Sequence, residues 1–251
     1  MSRVLKSFEK KSFDLEYFST FSQERIQALA LCAEVELCMY KIRHSMVVAD
    51  AALMIADEVE KQLNVKLDKR VIEIGALLHD VGISQIDKDD MPEHAYIGAE
   101  ITRSAGYSEH IARCIELHDG GGFVEEFVST LNIARSVDKK DLLPETWEEK
   151  IVCYADLIIS VEAEAGLDVW EDDYAPAKAI FYYVNSAFKS RMGLEATKDH
   201  PQFKYVNEFN KKMRRFAPKE KYDALRPQIQ RMFDSILHAG LVLPFQSLKE
   251  W

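Results

Sequence analysis

The sequence predicts an all-α fold, and three observations carry that prediction. Apolar residues recur at three- and four-residue spacing through most of the 251 positions, which is the helical period. Runs of alternating β-branched residues, the mark of strands, are nearly absent. Glycines, a serine and a capping-box pattern punctuate the periodic stretches where helices start and stop.

The first helical pattern covers Gln23 to Glu36. The second runs from Met39 to Gln62 and carries Ile42, Met46, Val47, Leu53, Ile55 and Val59, with His44 near its start. The stretch from Lys69 to Val81 is more apolar and is expected to cross the core. Gly82 is its stop signal, so that His79-Asp80 falls in its last turn. Ser84 to Pro92 is polar and acidic and reads as a loop, after which Glu93 to Ala105 restores helical spacing until Gly106. His94 opens that helix. Ser108 is a fitting N-cap for Glu109 to Leu117, and Gly120-Gly121-Gly122 breaks the chain straight after His118-Asp119.

Phe123 to Pro144 is mixed in character and reads as containing a surface excursion. Thr146-Trp147-Glu148-Glu149 forms a capping box that opens the apolar helix Lys150 to Glu164, in which Asp156 lies among Ile151, Val152, Ala155, Leu157 and Ile159. Beyond Gly166 the chain becomes aromatic and charged. Helices are expected over Tyr174 to Arg191, Pro201 to Phe216 and Lys219 to Leu237, punctuated by Gly193, Pro218 and Gly240. The organisation that follows is a core of residues 1–165 with a C-terminal helical extension, 166–251, packed on it.

The chain is 47% apolar and 29% charged, ordinary for a folded globular protein and far from a disordered composition. With 32 Lys and Arg against 42 Asp and Glu, its formal charge of −10 opposes a long nucleic acid. A small anionic substrate stays open, because a bound divalent cation reverses the local field. No stretch reads as a cleaved leader or a membrane span, and the protein is expected to be cytoplasmic. Cys32, Cys38, Cys114 and Cys153 form no CxxC pair and read as buried reduced thiols.

The chemistry is concentrated in four histidines and two aspartates. His44, His79, His94 and His118 stand at or near helix ends, and Asp80 and Asp156 lie in hydrophobic company. Buried carboxylates are costly unless paired or metal-bound, and imidazole with carboxylate suits first-row divalent ions. The stretches RHSMVVADAALMIA, GALLHDVG, PEHAYIGAEI, IARCIELHDGGG and EEKIVCYADL, in that order, resemble the HD superfamily of metal-dependent phosphohydrolases over about Ala28 to Ser160. The likeness is greatest to small HDIG-type proteins of archaea and bacteria.

That resemblance implies an HD-domain helical bundle in which His44, His79, Asp80 and Asp156 hold one metal. His94 and His118 match the two further histidines of binuclear members, with Asp80 bridging. The cofactor implied is one or two divalent ions of manganese, iron, zinc, nickel or cobalt. Two such ions would hold a hydroxide between them and polarise a phosphoryl oxygen. Arg43 and Lys150 are the expected contacts to substrate phosphate. One departure is Ile83, where many members have Lys or Arg after the HD-x-Gly turn. HDGGGF echoes the cyclic-dinucleotide phosphodiesterases of HD-GYP type, but the GYP sequence and its neighbouring His pair are missing, and no such substrate is expected.

His110, His200 and His238 fall outside the ordered set and read as surface or capping residues. Asp119 and the three glycines read as a turn, and Phe181, Tyr182, Tyr183 and Phe188 as core packing. The expected function is hydrolysis of a small phosphorylated, nucleotide-like substrate. Two alternatives stand beside it: an HD-type mixed-valent di-iron oxygenase, and a non-catalytic HD signalling module acting through its C-terminal helices. Those helices also allow a homo-oligomer, though the sequence sets no oligomeric state.

Overall fold

A computed structural model describes residues 21–86, 93–128, 142–181 and 199–238. Helices make up this part of the chain, and no strand occurs among the described residues. The first is α1 (Gln23–Glu34), begun by Ser22, whose hydroxyl accepts from the Arg25 backbone N–H at 3.1 Å. Helix α2 (Met39–Leu63) runs 25 residues and stops where Asn64 turns left-handed. Asp68 caps α3 (Lys69–Leu78) by accepting from Arg70 and Val71 N–H. Two further helices, α4 (His94–Ser104) and α5 (Glu109–Glu116), lead to the short α6 (Glu125–Val128). Helix α7 (Trp147–Ala165) begins with the complete Thr146/Glu149 capping box.

The core lies where α2, α3, α5 and α7 meet, with α1 on the outer side of α3 and α4 against α5. Ile55, Ile72, Leu77, Ile111, Ile115, Val152 and Ile158 are sealed from solvent there. Each such side chain contributes about 1.5–3 kcal/mol by leaving water. No helix of the described residues is long and apolar enough to cross a membrane.

After α7, residues 175–181 are helical, followed by α8 (Pro201–Met213), α9 (Lys219–Tyr222) and α10 (Arg226–His238). They are joined to the core by buried polar contacts as well as by Phe203, Val206, Phe209 and Met213. Tyr154 Oη donates to Asn210 Oδ1 at 3.1 Å, and Tyr222 Oη to the Ile158 carbonyl at 3.3 Å. Gln202, fully buried, donates to the Gly122 and Gly120 carbonyls at 2.8 and 3.5 Å and accepts from Val124 N–H at 2.9 Å.

Several sequence expectations need correcting. Helix α3 ends at Leu78 rather than Val81, and the chain continues as a 3-10 turn, Val81–Gln85. Gly82 is not a left-handed stop. A Cβ there would lie 2.1 Å from the His94 carbonyl oxygen and 2.6 Å from Gly98 N, so the glycine is needed for backbone contact with α4. Phe123, Phe127, Val128 and Leu142, at the two described ends of Phe123 to Pro144, are buried, and residues 129–141, on which the expected surface excursion falls, lie outside the described residues.

The expected helix Lys219 to Leu237 is two helices. Pro227 cannot donate to the Asp223 carbonyl and its ring crowds it, so α10 starts afresh at Arg226. Cys38 is exposed at the start of α2, while the other three thiols are free and buried as expected. The expected stretch 182–191, with Tyr182, Tyr183 and Phe188, lies outside the described residues, as do Gly193, Gly240 and most of the loop to Pro92.

Candidate metal centre

Five parts of the chain converge on one buried point. His44 projects from the first turns of α2 and has no solvent exposure. His79 is the residue after α3, still helical in backbone, and Asp80 at φ −91°, ψ 5° opens the 3-10 turn. That break in helical geometry lets adjacent side chains face one centre, which a continuous helix would forbid. His94 is the first residue of α4, His118 follows the end of α5, and Asp156 lies midway along α7.

His44 Nε2 is 2.9 Å from Asp156 Oδ1 and 3.8 Å from Asp80 Oδ2. His79 Nε2 is 3.3 Å from Asp80 Oδ2 and 3.4 Å from Asp156 Oδ1. His94 Nε2 is 3.4 Å from Asp80 Oδ1 and 3.0 Å from His118 Nε2. The two oxygens of Asp80 thus face different histidines, Oδ2 toward His44 and His79 and Oδ1 toward His94. His79 Nδ1–H donates to the Ala76 carbonyl at 2.7 Å and His118 Nδ1–H to the Ile115 carbonyl at 2.6 Å. Both rings are thereby oriented with Nε2 toward the centre.

The donor chemistry fits a divalent cation. His44, His79 and Asp156 form one group whose ligand atoms lie within 4.8 Å of one another, and His79, Asp80 and His118 form a second. His79 Nε2 and Asp80 Oδ2 are buried without a hydrogen bond of good geometry, a cost that coordination removes. Burial opposes charge on His79, yet the Asp80 and then the Asp156 carboxylates lift it to about 10. For His118, burial and the charges of His79 and His94 push it down to about 3. Burial works against both carboxylates as well, but His79 holds Asp80 and Asp156 well below the usual range. The centre therefore attracts positive charge while keeping His118 as a neutral donor.

A cavity of about 100 Å³ opens onto Asp80, His94, His118 and Asp156 of this centre. Its described lining includes Asp119 and Glu164, the apolar residues Ile83, Leu157, Val161 and Ile180, and one cation, Lys41. Lys41 Nζ is 3.0 Å from Asp80 Oδ2 and 3.1 Å from Glu164 Oε1. Ser160 Oγ donates to Asp156 Oδ1 at 3.0 Å.

The six expected ligands are brought together, but the two expected phosphate contacts are not. Arg43 is exposed on α2 and does not line the cavity. Lys150 turns to the Glu145 carbonyl and lies over the Trp147 ring, in a separate groove with Tyr205 and Phe216. Lys41 was missed, although its spacing of three residues before His44 puts both on one helix face. Asp119, expected only to serve the turn, places Oδ2 3.7 Å from His94 Nδ1. The three glycines beside it do break the chain, each with positive φ. His110 is exposed, and His200 caps α8 by accepting from Gln202 N–H. Phe181 packs on Phe203 with the rings tilted and their centroids 5.1 Å apart.

A family profile described as HD domain matches residues 42–159. An uncharacterized protein of Methanocaldococcus jannaschii is 31% identical over 165 residues, covering 66% of this chain and 82% of that protein. A tRNA (cytidine(56)-2'-O)-methyltransferase of Picrophilus torridus is 35% identical over 133 residues, 53% of this chain. The chain spans only 35% of that methyltransferase's length. Among solved structures, the HD domain of L. monocytogenes phosphodiesterase PgpH in complex with cyclic-di-AMP aligns with a TM-score of 0.41. It is 18% identical and covers 72% of this chain and 92% of that one.

Proposed function

This chain belongs to the HD-domain family, and from that premise we propose that it is a metal-dependent hydrolase of phosphoester or phosphoanhydride bonds in a small, nucleotide-like substrate. The observation that carries the reading is the six-residue His/Asp centre, four of whose members, Asp80, His94, His118 and Asp156, line a cavity. His44, His79, Asp80 and Asp156 would hold one divalent ion, and His94 and His118 would join Asp80 in holding a second. The separate facing of the two Asp80 oxygens supports such a bridge. When bound, the metal supplies Lewis acidity and a water acidified toward neutral pH.

The chain's own residues do the rest. The Ala76 and Ile115 carbonyls fix the His79 and His118 tautomers, and Ser160 holds Asp156 in orientation. Leu157, Val161 and Ile180 form a dry wall that strengthens electrostatic interactions beside it. The negative overall charge favours a small substrate over a long polyanion. We also propose the division into a core of residues 1–165 and an extension of 166–251, the extension adding Ala179 and Ile180 to the cavity wall.

The test is a screen of metal-loaded protein, with manganese, iron, zinc, nickel or cobalt, against nucleotides and generic phosphoesters. Metal-dependent phosphate release that Asp80→Ala abolishes is the expected result. Absence of turnover on every phosphoester, with the six ligands demonstrably metal-bound, refutes it.

A further inference from the structure

We propose that Lys41 is the substrate-phosphate anchor of this site, held in place by Glu164; the inference rests on the phosphohydrolase reading above. Lys41 is the cation that the described lining of the cavity contains, beside four carboxylates in that lining, Asp80, Asp119, Asp156 and Glu164. Its side chain is only 16% exposed, so the ammonium is committed to the cavity rather than to solvent.

Two carboxylate oxygens hold Lys41 Nζ, Asp80 Oδ2 at 3.0 Å and Glu164 Oε1 at 3.1 Å. They differ in what else they serve. Asp80 Oδ2 faces the His44 and His79 nitrogens and belongs to the metal centre. Glu164 Oε1 belongs to no such group and also accepts from Tyr40 Oη at 3.1 Å, which pins it beside the start of α2. With Asp80 holding a divalent ion, its carboxylate would have less charge to offer the ammonium. Glu164 then remains as the tether, and an ammonium has three N–H donors, of which the tether uses one. The other two are available to a phosphate oxygen entering the cavity that Lys41 lines.

A purely structural lysine would bridge α2 and α7 equally well from outside the cavity, where desolvation costs less. Ile83 supports the anchoring role. It lines the same cavity and offers no donor, so a phosphate oxygen turned to that side finds none from it. The preference that follows is for a substrate with its charged oxygens toward Lys41 and an apolar or aromatic part toward Ile83, Leu157 and Val161.

The experiment measures inorganic phosphate binding to metal-loaded protein by calorimetry, beside KM and kcat on a generic phosphoester and metal content by elemental analysis. Lys41→Met is expected to keep its metal and weaken phosphate binding about ten- to a hundredfold, with KM rising more than kcat falls. Lys41→Arg should restore most of the binding, and Glu164→Gln should weaken it several-fold. If Lys41→Met fails to fold, Lys41→Arg and Glu164→Gln carry the comparison.

Unchanged phosphate affinity in Lys41→Met, or in Glu164→Gln where Lys41→Met is unfolded, overturns the inference. So does metal loss in Lys41→Met that Lys41→Arg does not repair, which would make Lys41 a support for the centre. Phosphate binding needs no turnover, so a chain that binds phosphate through Lys41 yet hydrolyses nothing sinks the hydrolase reading and keeps the anchor.

Discussion

Replacing Gly82 by alanine should damage the metal centre from a position that carries no ligand. A Cβ at this residue falls 2.1 Å from the His94 carbonyl oxygen and 2.6 Å from Gly98 N, whereas real Cβ contacts essentially never come under 3.0 Å. Both obstacles are backbone, so no side chain can swing aside. Helix α4 must back away by about 0.9 Å, the difference between 2.1 and 3.0 Å, or the turn carrying Asp80 must move instead. Overpacking of this kind costs about 1–3 kcal/mol, which for a chain of this size lowers Tm by roughly 2–10 °C. The atom struck is His94's own carbonyl, and its ring is 3.4 Å from Asp80. A shift near 1 Å exceeds the ~0.5 Å tolerance of a working site and costs about a hundredfold in turnover.

The assay is a thermal melt together with metal content per chain and turnover on whichever phosphoester the screen identifies. Gly106→Ala is the control, because its Cβ meets nothing within 4 Å while its φ of +85° still strains an alanine. It should lose stability and keep metal. If Gly82→Ala melts with wild type and holds the wild-type metal complement, the close-approach argument is wrong.

Three other outcomes are expected. Asp80→Asn should leave a folded protein that binds neither ion tightly, seen as metal content falling below one per chain; retention of both ions would remove Asp80 from the bridge. Metal uptake at pH 7 should release about one proton, because Asp80 and Asp156 lift His79 to about 10 and a ligand must be deprotonated. Affinity should then rise with pH up to that value, and calorimetric enthalpies that do not vary with buffer ionisation would count against it. Glu162 is pushed up to about 7 by burial, with Arg226 pulling it down and Asp168 adding to the rise. Its folded pKa lies above the ordinary 4.5, so its contribution to stability is present below 4.5 and is lost as pH rises through 7. Glu162→Gln should flatten denaturant stability between those values, and an unchanged slope would rule the assignment out.

The helices were legible from spacing, and the convergence of the six candidate ligand residues from the ordered resemblance to the HD superfamily. Three- and four-residue apolar periodicity follows from burying one face, and the ligand order His44, His79-Asp80, His94, His118, Asp156 survives any loop length between the pieces. What was misread depends on direction in space. Arg43 is next to His44 in sequence, but neighbours on a helix point about 100° apart, whereas Lys41 three residues back shares the His44 face. Lys150 is six residues before Asp156, on the far side of α7. Gly82 looked like a terminator because a glycine after an apolar run usually is one, and only the position of α4 shows that it makes room. Pro227 broke the expected last helix for a local reason that was readable from the sequence and was passed over.

Gln202 gives the C-terminal helices a second stake in the centre, beside the cavity wall that Ala179 and Ile180 supply. Its amide satisfies two carbonyls and one N–H of the turn that follows His118, and it does so from α8. A relative built of the ligand-bearing helices alone must find other partners for those three backbone groups, or accept a looser histidine. A transplanted core would have to carry its own substitute for one glutamine.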